Sequence, residues 1–185
     1  MTKEVAVCTP EEYYSEKMQN FIEASCVHEE KQWVYKILNN TYNTQTETVF
    51  LRDENWVLCQ NVHPGTDKRY LVIFTDCSLR TIRDLRVKHV KMLIEAQEKV
   101  TDFLKKSHPD QSSKFSFFFH YLPSVFQLHA HVSVRKLTFN VNRRQPFKTV
   151  IRNLLRDSEY YKNALFLTNI NKEVRNLNVY SSFVL

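Results

Sequence analysis

A single glycine, Gly65, stands in a chain of 185 residues. That scarcity excludes several kinds of site. Phosphate-binding loops, dinucleotide fingerprints and nucleophile elbows each need several glycines for close backbone approach. Any phosphate must then be held by side chains and by ordinary amides at strand or helix ends. Cysteine is sparse too. Cys8, Cys26, Cys59 and Cys77 are widely separated, with no Cys-x-x-Cys pair. The opening Met1-Thr2-Lys3-Glu4 does not resemble a signal peptide, so free thiols in a reducing compartment are expected, not a disulfide framework. No apolar run approaches the ~20 residues of a membrane span. Together these features predict a soluble intracellular protein, cytoplasmic or nuclear.

The length suits one domain with a substantial core and is short for two, so residues 1–185 are expected to form a single unit. A net charge of +6 suits a polyanionic ligand without saying which. Thr9-Pro10-Glu11-Glu12 has the form of a capping box with proline at the first helical position, predicting a helix to about Ser25 with Tyr14, Met18, Phe21 and Ile22 inward. A shorter helix is expected from His28 to Asn39. Strands follow at Glu47–Leu51, Trp56–Asn61 and Tyr70–Thr75, the last two joined by a turn at His63-Pro64-Gly65-Thr66. A long helix from Val87 to Lys106 carries Val90, Leu93, Ile94, Val100 and Leu104 at helical spacing. Lys114–Leu122 and Phe126–Leu137 predict paired strands. Gln145-Pro146-Phe147 opens a closing helix to about Tyr161, and Ala164–Thr168 is a last strand. The sum is an α+β protein, an antiparallel sheet with packed helices.

The chemistry lies in one strand. From Phe126 to Ser133 apolar and polar residues alternate strictly. With a period of two, Phe126, Leu128, Ala130 and Val132 face one side, and Gln127, His129, His131 and Ser133 the other. Two imidazoles on one strand face stand about 7 Å apart, within reach of neighbouring oxygens of one phosphate chain or of one metal ion.

The run His120-Tyr121-Leu122-Pro123-Ser124, followed by Gln127, His129 and His131, resembles the histidine-triad motif. It is most similar to that of the scavenger mRNA-decapping enzymes. The likeness extends over most of the chain. Gln32-Trp33-Val34-Tyr35-Lys36-Ile37-Leu38 looks like the family's cap-stacking segment, Leu79-Arg80-Thr81-Ile82-Arg83-Asp84-Leu85 like its Arg-Ser-Ile-Arg-Asp-Leu run, and Val150-Ile151-Arg152-Asn153-Leu154 falls at its last helix. Gln127 occupies the place of the first triad histidine.

The resemblance implies a histidine-triad fold and a homodimer, or pairing with a related chain. It implies cleavage of a cap dinucleotide or short capped RNA with neither metal nor cofactor. It also implies that the family's amino-terminal lid domain is absent here. His129 aligns with the nucleophile, whose second nitrogen the family usually fixes with a main-chain carbonyl. His131 aligns with the third histidine of the triad, which contacts the phosphate chain and helps the leaving oxygen depart. His120, Ser124, Gln127 and Arg143 fall at phosphate- or substrate-binding places, with Arg144 as an alternative to Arg143. Trp33 matches the indole that stacks on methylguanine, where a positively charged base ring adds cation–π attraction. The base edge departs from the family. Asn43 and Thr44 stand where a glutamate would be, Asn61-Val62-His63 keeps neither charge of an Asp-Leu-Lys run, and a tyrosine becomes Val125.

Other classes stay open at this point. His129 and His131 with His120 or Cys59 would make a zinc site, though no spacing completes one. A catalytically inactive descendant would bind RNA or a protein partner through the old cleft. A general RNA-binding module would use Arg135, Lys136, Arg143, Arg144, Lys148, Arg152 and Arg156, without the aromatic strand pattern of an RNA-recognition motif.

Overall fold

The computed structural model describes residues 5–60, 69–111, 115–134, 144–169, 172–177 and 182–183. Strand β1 (Val5–Cys8) leads into α1 (Pro10–Tyr13) through the expected capping box. The Glu12 amide donates to Thr9 Oγ1 (3.2 Å) and the Thr9 amide to Glu12 Oε2 (2.8 Å). The helix does not run on to Ser25. Ser15 intervenes, its hydroxyl donating to Glu12 O (2.7 Å) and accepting from the Met18 amide (3.4 Å), so one side chain ends α1 and caps α2 (Glu16–Val27). The break turns the apolar stripe: Tyr13 is buried and Tyr14 is exposed, the reverse of the sequence expectation, while Met18 and Ile22 face inward as anticipated.

A 3₁₀ turn, Glu29–Lys31, precedes α3 (Gln32–Leu38). The helix ends in a Schellman arrangement, the Thr41 amide donating to Lys36 O (2.8 Å) and the Asn40 amide to Ile37 O (3.2 Å). Asn40 takes the left-handed conformation (φ 59°) usually given to glycine. Strands β2 (Val49–Arg52), β3 (Trp56–Gln60) and β4 (Arg69–Phe74) follow near their expected places. The turn containing Gly65 lies outside the described residues. The Arg52 guanidinium reaches back to Ile37 O (2.7 Å) and Leu38 O (3.1 Å), neutralising the carbonyl end of α3 and fixing it to the sheet.

The long helix α4 (Val90–Ser107) buries Val90, Leu93, Ala96, Val100 and Leu104, and Ile94 sits off the stripe at 38% exposure. Strands β5 (Ser116–His120) and β6 (His129–Ser133) pair antiparallel as expected, but both are shorter than the sequence suggested. Residues 121–128 between them are a bent connection in place of strand ends. Residues 135–143, which include Leu137 and Arg143, lie outside the described residues. At 144–146 a strand replaces the anticipated start of the closing helix. This is β7 (Arg144–Pro146), where an outer position tolerates proline. Then come α5 (Phe147–Arg156), α6 (Tyr160–Asn163), β8 (Phe166–Asn169), α7 (Lys172–Arg175) and β9 (Ser182–Phe183). Asp157 ends α5 in extended backbone and accepts the Glu159 amide (2.9 Å), which breaks the single helix expected to reach Tyr161.

Six strands form an antiparallel sheet in the order β2-β3-β4-β6-β5-β7, and β8-β1-β9 make a second sheet that the sequence reading lacked. The α+β expectation therefore holds. One face of the large sheet meets α4 and α5 in the main core, which takes Phe126, Leu128, Ala130 and Val132, the four predicted by alternation. Phe119 and Phe147 stack there with ring centroids 4.7 Å apart. Among the described residues the opposite face is only partly covered. A smaller cluster of Val34, Ile37, Val57, Cys59, Leu71, Ile73 and Val125 seats α3 on it.

Candidate active site

The remainder of that second face carries the polar residues. Ile73 pairs with His129 and Leu71 with His131, so the smaller apolar cluster borders both imidazoles directly. On the other side, β5 sets Phe118 opposite His131, and β7 sets Arg144 opposite His120. Because pleating alternates side chains, these register pairs place His129, His131, Phe118, His120 and Arg144 on one surface.

The rings converge. His129 and His131 have centroids 5.4 Å apart, nearer than the strand repeat would give for upright side chains. His131 lies 4.1 Å from His120 and stacks nearly parallel on Phe118, at 5.4 Å and 13°. The Arg144 guanidinium sits 5.1 Å over the Phe118 ring, a cation–π contact that holds a positive charge beside the histidines. Arg144 is thus the arginine placed here, while Arg143 lies outside the described residues. Phe118 was not singled out in the sequence. Its neighbours Phe117 and Phe119 face the main core, and a phase count along the aromatic run would have found it.

His129 is half-buried, and its Nδ1 lies 2.8 Å from the main-chain oxygen of Gln127. A carbonyl can only accept, so Nδ1 carries the hydrogen and Nε2 the lone pair of the neutral ring. Burial pushes the pKa of His129 below its ordinary value, against a smaller upward pull from that same bond. The ring is therefore neutral near pH 7, the form that can attack phosphorus or ligate a metal.

Gln127 differs from its expected placement. It does not stand on the imidazole face. The residue is 1% exposed, and its Nε2 donates to Phe74 O (2.7 Å) and Asp76 O (3.0 Å). The strand begins only at His129, so alternation misplaces the residue two positions before it. Ser124 is exposed in the bend between β5 and β6, one residue before Val125 of the smaller cluster. Trp33, half-buried on α3, packs against that cluster, so its indole borders the same apolar ground as the histidines.

The residues around the resemblance motif explain its shape. Tyr121 and Leu122, which follow His120, are buried. Thr168 of β8 accepts the Leu122 amide (2.9 Å) and donates to Tyr121 O (2.6 Å). Arg83, fully buried, donates through Nε to the Tyr121 hydroxyl (2.6 Å), through Nη1 to the carbonyls of Tyr161, Lys162 and Ala164, and through Nη2 to Cys8 O. One guanidinium thus ties the small sheet and α6 to the end of β5.

Among the described residues no group of three or more His, Cys, Asp or Glu is arranged to hold a metal ion. Cys59, weighed as a zinc ligand, lies in the smaller cluster on β3, and burial pushes its thiol up to about 12. None of the four cysteines is in a disulfide. Among the described residues no helix is long and apolar enough to cross a membrane.

A sheet face that presents a tautomer-fixed imidazole, two further histidines and an arginine defines the class in structural terms: an antiparallel-sheet protein with a histidine-lined face. Comparison with known proteins gives the family. Residues 32–145 match the family described as scavenger mRNA decapping enzyme C-term binding, and the chain belongs to that family. It is 28% identical over 138 residues to an m7GpppX diphosphatase of Schizosaccharomyces pombe, a match covering 70% of this chain and 44% of that protein. The chain thus spans less than half the length of this curated relative.

Proposed function

We propose that the chain hydrolyses a nucleoside polyphosphate of the mRNA cap-dinucleotide type, without metal, through His129. The observation that carries this reading is the bond from His129 Nδ1 to Gln127 O, which leaves a neutral Nε2 as the nucleophile. Nε2 attacks a phosphorus of the anhydride. An N–P bond forms, the bridging P–O bond breaks, and the electron pair leaves on the departing phosphate oxygen. Water then attacks the phosphoramidate and returns the imidazole. His131, His120 and Arg144 surround that charge with donors, and the apolar cluster beneath Trp33 receives a base. Ser124, at the rim of the same bend, is available to a phosphate oxygen.

The experiment is incubation with labelled cap dinucleotide, with and without chelator, followed by trapping of acid-labile phosphoprotein. Wild type should label and turn over, and His129→Ala should do neither. Turnover that survives the substitution, or that disappears with chelator, refutes the mechanism.

A second reading is favoured by Gln127, which cannot exchange a proton where the family has a histidine. In that case the cleft binds a capped RNA or a protein partner without cleaving anything. Absence of turnover in wild type, with micromolar binding of the dinucleotide, decides for it. A homodimer, or pairing with a related chain, belongs to either reading, and sedimentation as a strict monomer at micromolar concentration would remove it.

A further inference from the structure

We infer that the side chain of Gln127 is a positioning residue: its two N–H groups clamp the turn after β4 and so hold the carbonyl that fixes the tautomer of His129. This inference rests on the reading of His129 as the reacting imidazole only for its effect on turnover.

The geometry is a closed set of hydrogen bonds around one peptide unit. The carbonyl of Gln127 and the amide of Leu128 belong to the same plane and point to opposite sides. The carbonyl receives His129 Nδ1–H (2.8 Å), and the amide donates to Leu79 O (2.7 Å). Leu128 O accepts the Phe74 amide (3.0 Å). The partners of this unit are thus the end of β4 and the turn from Phe74 to Leu79. That turn is itself tied at Asp76, whose carbonyl takes the Leu79 amide (3.1 Å) and whose carboxylate takes the Ser78 amide (2.8 Å) and hydroxyl (2.6 Å). Gln127 Nε2 bonds Phe74 O and Asp76 O, one at the start of the turn and one inside it. A single amide nitrogen therefore bridges the strand end and the turn to which the peptide unit of the His129-fixing carbonyl is bonded.

The orientation of that amide is dictated by its partners. Rotated by half a turn, Oε1 would face two carbonyl oxygens, which cannot donate. In the orientation observed, Oε1 is buried and has no hydrogen-bond partner among the described residues. Burying an unpaired acceptor is unfavourable. A side chain present only to fill the space would be better served by methionine or leucine, which carry no such atom. The nitrogen end is what the position uses, because neither carbonyl carries a hydrogen of its own. A neutral imidazole has one N–H and could serve only one of the two carbonyls.

Three measurements test this. In wild type, the side-chain amide protons of Gln127 should exchange with solvent far more slowly than those of exposed glutamines. Long-range ¹H–¹⁵N spectra should show His129 as a single Nδ1–H tautomer. Gln127→Met keeps the volume and removes both donors. It should give a mixture of His129 tautomers and lower kcat at least about tenfold with KM little changed, since imidazoles that lose tautomer control lose up to ~10⁴ in kcat. Gln127→His, with one donor left, should fall between the two and keeps the test open if the methionine variant fails to fold. Fast exchange of the wild-type amide protons, or an unchanged Nδ1–H tautomer in both variants, overturns the inference. If wild type does not turn over, the hydrolase reading fails, while the amide exchange and the tautomer still decide the role of Gln127.

Discussion

The rings of His120 and His131 approach to 4.1 Å across the β5–β6 pair, although the two residues are eleven apart in sequence and come from different strands. Phe118 lies against both, at 5.3 Å from His120 and 5.4 Å from His131. Two imidazoles backed by an aromatic ring and flanked by Arg144 form a continuous surface beside His129. Their closeness is a product of register. A shift of one residue between β5 and β6 would turn His120 and Phe118 to the other face.

Under the proposed function, the lowered pKa of His129 predicts the acid limb of the rate. The nucleophile must be unprotonated, so kcat/KM should rise as pH increases through the folded-state pKa, which lies below the ordinary 6.5 because burial disfavours the charged ring. A pH–rate profile checks this, and a limb centred above 6.5 would contradict it. The same shift has a stability consequence. On acidification the unfolded chain takes up the proton first, so its contribution is complete above the unfolded value, declines as pH falls below it, and is lost below the folded value. His129→Ala should flatten that part of the stability curve.

Arg83→Met should be severely destabilising. It strips the Tyr121 hydroxyl and four main-chain carbonyls of a buried donor, and the guanidinium also lies 4.8 Å over the Phe166 ring. A loss of at least about 3 kcal/mol is expected from several unpaired buried acceptors. Urea unfolding measures it. Arg83→Lys should recover little, since an ammonium cannot reach so many acceptors in a planar fork. A change below about 1 kcal/mol would mean that the small sheet is not held this way.

Under the proposed function, Trp33 supplies stacking for a methylated base. That is worth about 1–2 kcal/mol when desolvated, or roughly fivefold to thirtyfold in affinity. Methylated and unmethylated dinucleotides should therefore differ only modestly in binding, and Trp33→Ala should remove most of the difference. Titration calorimetry with both ligands is the measurement. A large preference that survives in Trp33→Ala would point to another reader of the base, with Glu47, half-buried beside Thr46, the first to substitute.

Much of this was legible in the chain. The capping box at Thr9 and Glu12 acts as written because its atoms are three residues apart and need nothing from the rest of the fold. The alternation from Phe126 to Val132 chose the core face correctly for the same local reason. The errors share one cause, which is capture by hydrogen-bond partners that side-chain periodicity does not encode, local for Ser15 and distant for the others. Ser15 captured both ends of a helix break, the 144–146 segment found β5 and became a strand, and Gln127 turned inward to carbonyls more than fifty residues away.

The sequence by itself therefore determined the identity of the candidate side chains, the face on which His129 and His131 stand, and the absence of any glycine-built phosphate loop. Covalent periodicity and composition suffice for those. Only the tertiary structure decided that His120, Phe118 and Arg144 join them, that α3 brings Trp33 to the bordering apolar ground, and that Gln127 supports the site from behind without lining it. Each of these depends on strand register or on hydrogen bonds between segments far apart in the chain, and such contacts exist only once the sheet has formed.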